Sequence, residues 1–160
     1  MAVNAYLIID GTPGPSTSKT DAIDILSFSF GASMSADFQA GASGNESRSG
    51  RADVSNVTIM KVLDKTSPFL FEHCVSGNTF TKVSLLYDKP VGDQQEDYFK
   101  IVMTDALITS VQLSGSQENP VESVSFAFRK IEVAYNPEKP DHTLAGFVPK
   151  FFDMATLKTK

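Results

Sequence analysis

No tryptophan occurs in this 160-residue chain, and cysteine occurs once, at Cys74, and histidine twice, at His73 and His142. A lone cysteine excludes a disulfide within the chain and leaves a cysteine-based zinc site without ligands. The histidines do not form a His-Glu-x-x-His or other paired metal-ligand spacing, so neither a metal nor a cofactor is expected. Met1 to Asp10 carries no Lys or Arg ahead of its apolar run, and Asp10 ends that run too early for a Sec-type signal peptide. Apolar clusters such as Ala106-Leu107-Ile108 fall far short of the roughly 20 residues of a membrane helix, so no membrane insertion is expected. Basic charge is also scarce: 14 Lys and Arg against 19 Asp and Glu give a net charge of −5, which argues against the dense basic surface of a nucleic-acid binder. Protein partners fit better.

With 41% hydrophobic and 21% charged residues, the chain has the usage of an ordinary globular domain, and its length suits one domain over 1–160. Period-two alternation dominates. In Ile23-Asp24-Ile25-Leu26-Ser27-Phe28-Ser29-Phe30-Gly31, Leu26, Phe28 and Phe30 share one face while Ser27 and Ser29 share the other. Similar runs are Ala5 to Asp10, Val57 to Leu63, Phe80 to Tyr87, Tyr98 to Thr104, Leu107 to Leu113 and Val121 to Tyr135, enough strands for a sandwich or barrel. Parity changes at Arg129-Lys130, since Val124, Phe126 and Phe128 have one phase and Ile131, Val133 and Tyr135 the other, and Ile25-Leu26 slips likewise. Bulges or bends at both places favour a curled, barrel-like sheet. The fold class is therefore mainly β, with a barrel favoured over a flat sandwich.

One short helix is predicted over about 66–76, flanking the sheet, with Ser67-Pro68 as N-cap and N1, Gly77 as stop, and Leu70/Cys74 and Phe71/Val75 on neighbouring positions of one covering face. His73-Cys74 as a base and nucleophile is set aside, because adjacent helical residues point about 100° apart. Gly11 to Thr20 has Ser18 and Pro13 where a phosphate-binding loop needs glycine, so it reads as a turn after the first strand. Asp24, Asp64 and Glu122 are read as solvated or ion-paired acids rather than a catalytic set.

Two polar stretches remain. Gly41, Ala42, Ser43, Gly44, Asn45, Glu46, Ser47, Arg48, Ser49, Gly50 and Arg51 lie inside an extended loop of about 31–53 with only Met34 and Phe38 as apolar anchors. Its length favours an interaction arm over an idle linker. In the tail of about 136–160, Pro137, Pro140 and Pro149 are expected to interrupt regular pairing, leaving Phe147, Phe151 and Phe152 to dock on the body or on a neighbouring chain.

In order along the chain, Tyr6-Leu7-Ile8-Ile9-Asp10-Gly11, Ile23 to Gly31, Ser49-Gly50-Arg51, Val57 with Lys61, Asp64-Lys65-Thr66-Ser67-Pro68, Tyr98, and Pro120-Val121-Glu122-Ser123-Val124-Ser125-Phe126 with Lys130-Ile131 and Tyr135 form a pattern that resembles the Hcp family. These haemolysin-coregulated proteins form the inner tube of the bacterial type VI secretion system. The chain departs from the pattern in having Phe28 or Phe30 where Trp is frequent, and Pro15 where Glu is frequent. The resemblance implies a tube-forming β-barrel of two antiparallel sheets with one flanking helix, similar to phage tail-tube proteins, that assembles as a homohexamer, in rings stacked inside a contractile sheath and capped by a spike protein. Effector proteins would travel in the lumen, and the protein itself would leave the bacterial cytoplasm through the apparatus. No catalysis and no cofactor are implied. On this resemblance Ser27, Ser29, Ser123 and Ser125 are lumen-lining candidates, and the Gly41 to Arg51 loop is a ring-stacking candidate. The alternative is the tail-tube protein of a phage or phage-like contractile injection particle.

Overall fold

The computed structural model describes residues 3–35 and 52–159. In chain order its elements are β1 (Asn4–Ile9), β2 (Ile23–Asp24), β3 (Ser27–Ser29), β4 (Ala32–Met34), β5 (Ala52–Val54), β6 (Val57–Val62), α1 (Ser67–Ser76), β7 (Thr79–Val91), β8 (Gln94–Ser114), β9 (Val121–Tyr135), β10 (Val148–Asp153) and β11 (Lys158–Thr159). All pairings are antiparallel. One sheet runs β11-β10-β9-β8-β7-β1-β2, with β6 also on β9 and β3 on β6, while β4 and β5 pair separately.

The long strands bend together. Inward residues are three apart rather than two at one level of each: Phe80 and Val83 on β7, Met103 and Ala106 on β8, Phe128 and Ile131 on β9. Asp105 sits at φ 52° on this line, and the Arg129 Nε–Asp105 Oδ2 contact of 2.8 Å spans it. The parity change read at Arg129-Lys130 is thus one strand's share of a crease crossing three strands. This crease turns the sheet over, so that Leu7, Ile23, Val57, Ile59, Leu85, Ile101, Ile108 and Phe126 gather in one core.

Closure occurs at the other predicted slip. Ile23–Asp24 pairs with β1, and the Ile25 N–H still donates to Ala5 O (3.1 Å). One residue later the Leu26 N–H donates to Met60 O (2.7 Å), after which Ser27–Ser29 pairs with β6. The segment therefore links the β1 edge to the β6 edge across a bend. The sheet does not close as an unbroken barrel ladder; its two ends meet through this crossover.

Four sequence expectations need correction. Tyr98 to Thr104 and Leu107 to Leu113 belong to a single 21-residue strand, because the distortion at Asp105 absorbs the change of phase. The N-cap of α1 is Thr66 rather than Ser67. Of the four apolar residues expected on its covering face, Leu70 and Cys74 pack against the core, whereas Phe71 and Val75 are 55% and 68% exposed, so that face is one side narrower than expected. The fourth correction lies in the tail, where Val148 to Asp153 pairs regularly with Tyr135 to Lys130 despite Pro149. A proline is tolerated on such an outer strand, and Phe152 packs against the core.

Candidate functional site

The register brings the four predicted serines onto one outward sheet face. Ser27 is level with Met60, Ser123 and Gln112, and Ser29 with Thr58, Ser125 and Ser110. Their chain neighbours Phe28, Ile59, Val124 and Phe126 point into the core, as alternation requires. Ser27 and Ser29 are exposed, and Ser123 and Ser125 half-buried. The hydroxyls bind one another: Thr58 Oγ1 and Ser125 Oγ are 3.0 Å apart, the Thr109 hydroxyl donates to Ser125 O (3.3 Å), and Asn56 Nδ2 donates to Thr109 Oγ1 (3.2 Å). Not one of these positions carries a charge. Sequence reasoning missed Thr58, Met60, Ser110 and Gln112, which join the face only through pairing and through the bulge at Ile108–Ser110.

Past the crease the same outward face becomes charged. Lys82 is level with Thr104 and Lys130, and Lys100 lies two rows further on. Phe147 stacks on Lys100 with Nζ 4.4 Å from the ring centroid, and Phe151 on Lys130 at 4.2 Å, so these tail aromatics dock by cation–π contact. A cavity of about 310 Å³ lies here between Ile8, Asp10, Lys82, Lys100, Val102 and Phe147.

The Gly41 to Arg51 candidates lie outside the described residues. Their anchor is described: β4 pairs with β5, and the Gly31–Ser55 pair seals its foot, with Ser55 N–H to Gly31 O at 2.8 Å and Gly31 N–H to Ser55 Oγ at 2.9 Å. Ala32, Ser33 and Met34 are exposed. Beside this foot, Phe30, Val54, Ile131, Val133 and Phe152 line an apolar gap of about 370 Å³.

Of the three acids singled out, Asp24 accepts from the Ser16 hydroxyl (2.9 Å), while Asp64 and Glu122 converge on Lys61. Lys61 and Glu122 are both fully buried and in direct contact. The Lys61 ammonium also reaches Val62 O (3.1 Å), Ser67 Oγ (3.2 Å) and Asp64 Oδ1 (3.2 Å). The Ser67 hydroxyl donates to Glu122 Oε1 (2.9 Å) and accepts from the Asp64 N–H (3.1 Å), tying the start of α1 to β6 and β9. Such a cluster is an ion-paired clamp, since every acid in it already faces a cation or donor. His73 stacks on Phe80 with ring centroids 4.9 Å apart, and its Nδ1 has no hydrogen-bond partner among the described residues. Gly11 to Thr20 is a folded turn in which Gly14 lies so near Ala22 that a Cβ would sit 2.2 Å from its carbonyl oxygen. Among the described residues, no group of three or more His, Cys, Asp or Glu side chains is placed to hold a metal, and no helix is long and apolar enough to cross a membrane.

Residues 6–135 match the family model described as "Type VI secretion system effector, Hcp". The chain is 32% identical over 155 residues to Protein hcp1 of Pseudomonas aeruginosa, covering 94% of each. It is 34% identical over 84 residues to the Major exported protein of the same organism, covering 47% of this chain and 49% of that one. Its fold is similar to that of a solved type six secretion system protein with a TM-score of 0.88 and 25% identity, over 99% of this chain and 100% of the other.

Proposed function

The chain belongs to the Hcp family of type VI secretion proteins, and from that premise we propose that six copies close into a ring whose stacks form the tube that carries effector proteins out of the cell. The observation that carries this reading is the match over nearly the whole length, in sequence and in fold. The family is one of structural, secreted tube proteins rather than enzymes, and this chain's own role is likewise mechanical, without catalysis. It reaches the bacterial exterior through the apparatus, as one relative's description as a major exported protein suggests, with sheath, spike and effectors as its partners.

The physical requirements fit. A ring is a closed heterologous assembly in which two different surfaces of one chain meet, and stacking requires a further pair. The arm that rises from β4 and β5 supplies one such surface, with Gly41 to Arg51 reaching the next ring. The charge-free face of Ser27, Ser29, Ser123 and Ser125 lines the lumen, because a wetted surface of small groups releases what it carries. Native mass spectrometry tests the ring: six chains of 17.3 kDa give about 104 kDa for a closed cyclic hexamer. A strictly monomeric species at micromolar concentration overturns it. Replacing Gly41 to Gly50 by a short turn is expected to leave the ring mass intact and to abolish tube assembly and secretion; normal secretion by this variant removes the arm from the stacking contact.

A further inference from the structure

We propose that the outward face built by β3, β6, β9 and the end of β8 selects its cargo by neutral hydrogen bonding and contact alone, so that the proteins it retains present polar but uncharged surfaces. This rests on the reading above that the face lines the lumen of a ring.

The argument starts from the contrast within one sheet. Before the crease, the two cross-strand rows are Ser27, Met60, Ser123, Gln112 and Ser29, Thr58, Ser125, Ser110, without a charge. Beyond it, the same face carries Lys82, Lys100, Lys130 and Glu132. In a chain with 21% charged residues, the neutral sector is therefore confined to one side of a structural boundary. Two of its hydroxyls, Thr58 Oγ1 and Ser125 Oγ, engage each other at 3.0 Å, and the Ser125 carbonyl is taken by the Thr109 hydroxyl at 3.3 Å. A charged cargo group pressed on this surface would lose water without gaining an ionic partner, which is unfavourable. A neutral hydroxyl or amide loses less and finds acceptors that remain partly free. The face thus discriminates by rejecting charge rather than by attracting a particular sign. Net charge acts only at range: at −5 per chain a ring repels anions at low ionic strength, but screening over about 8 Å removes this at physiological salt.

The test uses the assembled full-length ring and, as probe, one small monomeric domain in three surface versions: Asp/Glu-rich, Ser/Thr/Asn-coated and Lys-rich. Retention is measured by co-elution from physiological salt upward. A single cysteine at Ser123→Cys in a Cys74→Ala background reports occupancy through protection from a thiol reagent. The neutral version is expected to be retained and to protect Cys at 123, with affinity changing less than about twofold as salt rises, while both charged versions bind more weakly. Ser29→Lys is expected to switch preference to the Asp/Glu-rich version, now with salt-dependent affinity. An intact ring that retains a charged version best, with affinity falling steeply with salt, overturns the inference, as does an intact ring that retains none or a Ser29→Lys ring with unchanged preference. If the engineered thiol reacts in the monomer but is covered in the empty ring, the face is a subunit contact, and the lumen reading fails along with the inference.

Discussion

Removing one partner of the buried Lys61–Glu122 pair is expected to be among the most damaging single changes in the molecule, and removing both much less so. Each side chain is fully buried, so Lys61→Met leaves a carboxylate without its cation, and Glu122→Leu leaves an ammonium with only Asp64 and neutral oxygens near it. Breaking such a pair typically costs about 3–5 kcal/mol. For a chain of this size that lowers the melting temperature by roughly 6–20 °C, at about 2–4 °C per kcal/mol. The pair is imperfect even when intact, because Glu122 Oε2 is buried without a hydrogen-bond partner among the described residues. The double variant Lys61→Met/Glu122→Leu exchanges two ions for apolar groups of similar volume and is expected to lie within about 2 kcal/mol of the parent. The assay is guanidinium unfolding followed by far-UV circular dichroism, at one low protein concentration at which the chain is monomeric by sedimentation, because association would otherwise add to the apparent stability. A Lys61→Met variant within about 1 kcal/mol of the parent would refute the premise that the site is dry. A double variant as unstable as either single one would show that the hydrogen bonds to Ser67 and the helix start, rather than charge balance, hold the site together.

Gly14→Ala is expected to destabilise by about 1–3 kcal/mol, because its Cβ would fall 2.2 Å from the Ala22 carbonyl oxygen, whereas at Gly115 the nearest atom is 3.8 Å away; equal unfolding midpoints for Gly14→Ala and Gly115→Ala would contradict the close approach. Burial holds the Tyr6 phenol above its ordinary range, with Asp88 adding to the effect, and burial does the same for Tyr87. Groups raised in the folded state contribute stability that is present below their unfolded value of about 10 and is lost as pH rises through the folded value. Absorbance titration of Tyr6→Phe and Tyr87→Phe should therefore remove late-titrating phenols, and loss of an early one instead would be inconsistent with their burial.

How much of this was legible beforehand depends on where the information resides. Ser27/Ser29 and Ser123/Ser125 could be placed opposite a core because period-two alternation is local, and the slips at Ile25-Leu26 and Arg129-Lys130 were visible as changes of phase within single strands. What those slips accomplish was not legible. The Arg129 slip acts because Asp105 and Val83-Phe80 shift phase at the same level on neighbouring strands, and the Ile25 slip because Ala5 and Met60 take consecutive amides; both are properties of registers between distant segments. The same holds for Lys61 and Glu122, which stand 61 residues apart: Glu122 reads locally as a solvated or ion-paired acid, and nothing in the chain names its cation. Phe28 likewise meets Tyr87 at 5.4 Å and Phe99 at 6.0 Å, a cluster of three rings from three strands that no local pattern joins. Pairing therefore decides surface chemistry here as well as fold. The two serine pairs become a surface only because β6 lies between β3 and β9, bringing Thr58 and Met60 into rows with them, and the surface is free of charge only up to the crease beyond which Lys130 and Lys82 come level. A shift of β6 by one residue would place Lys61 among the serines and Ile59 in water, exchanging a neutral sheet face for a cationic one and removing the clamp on α1 in the same step.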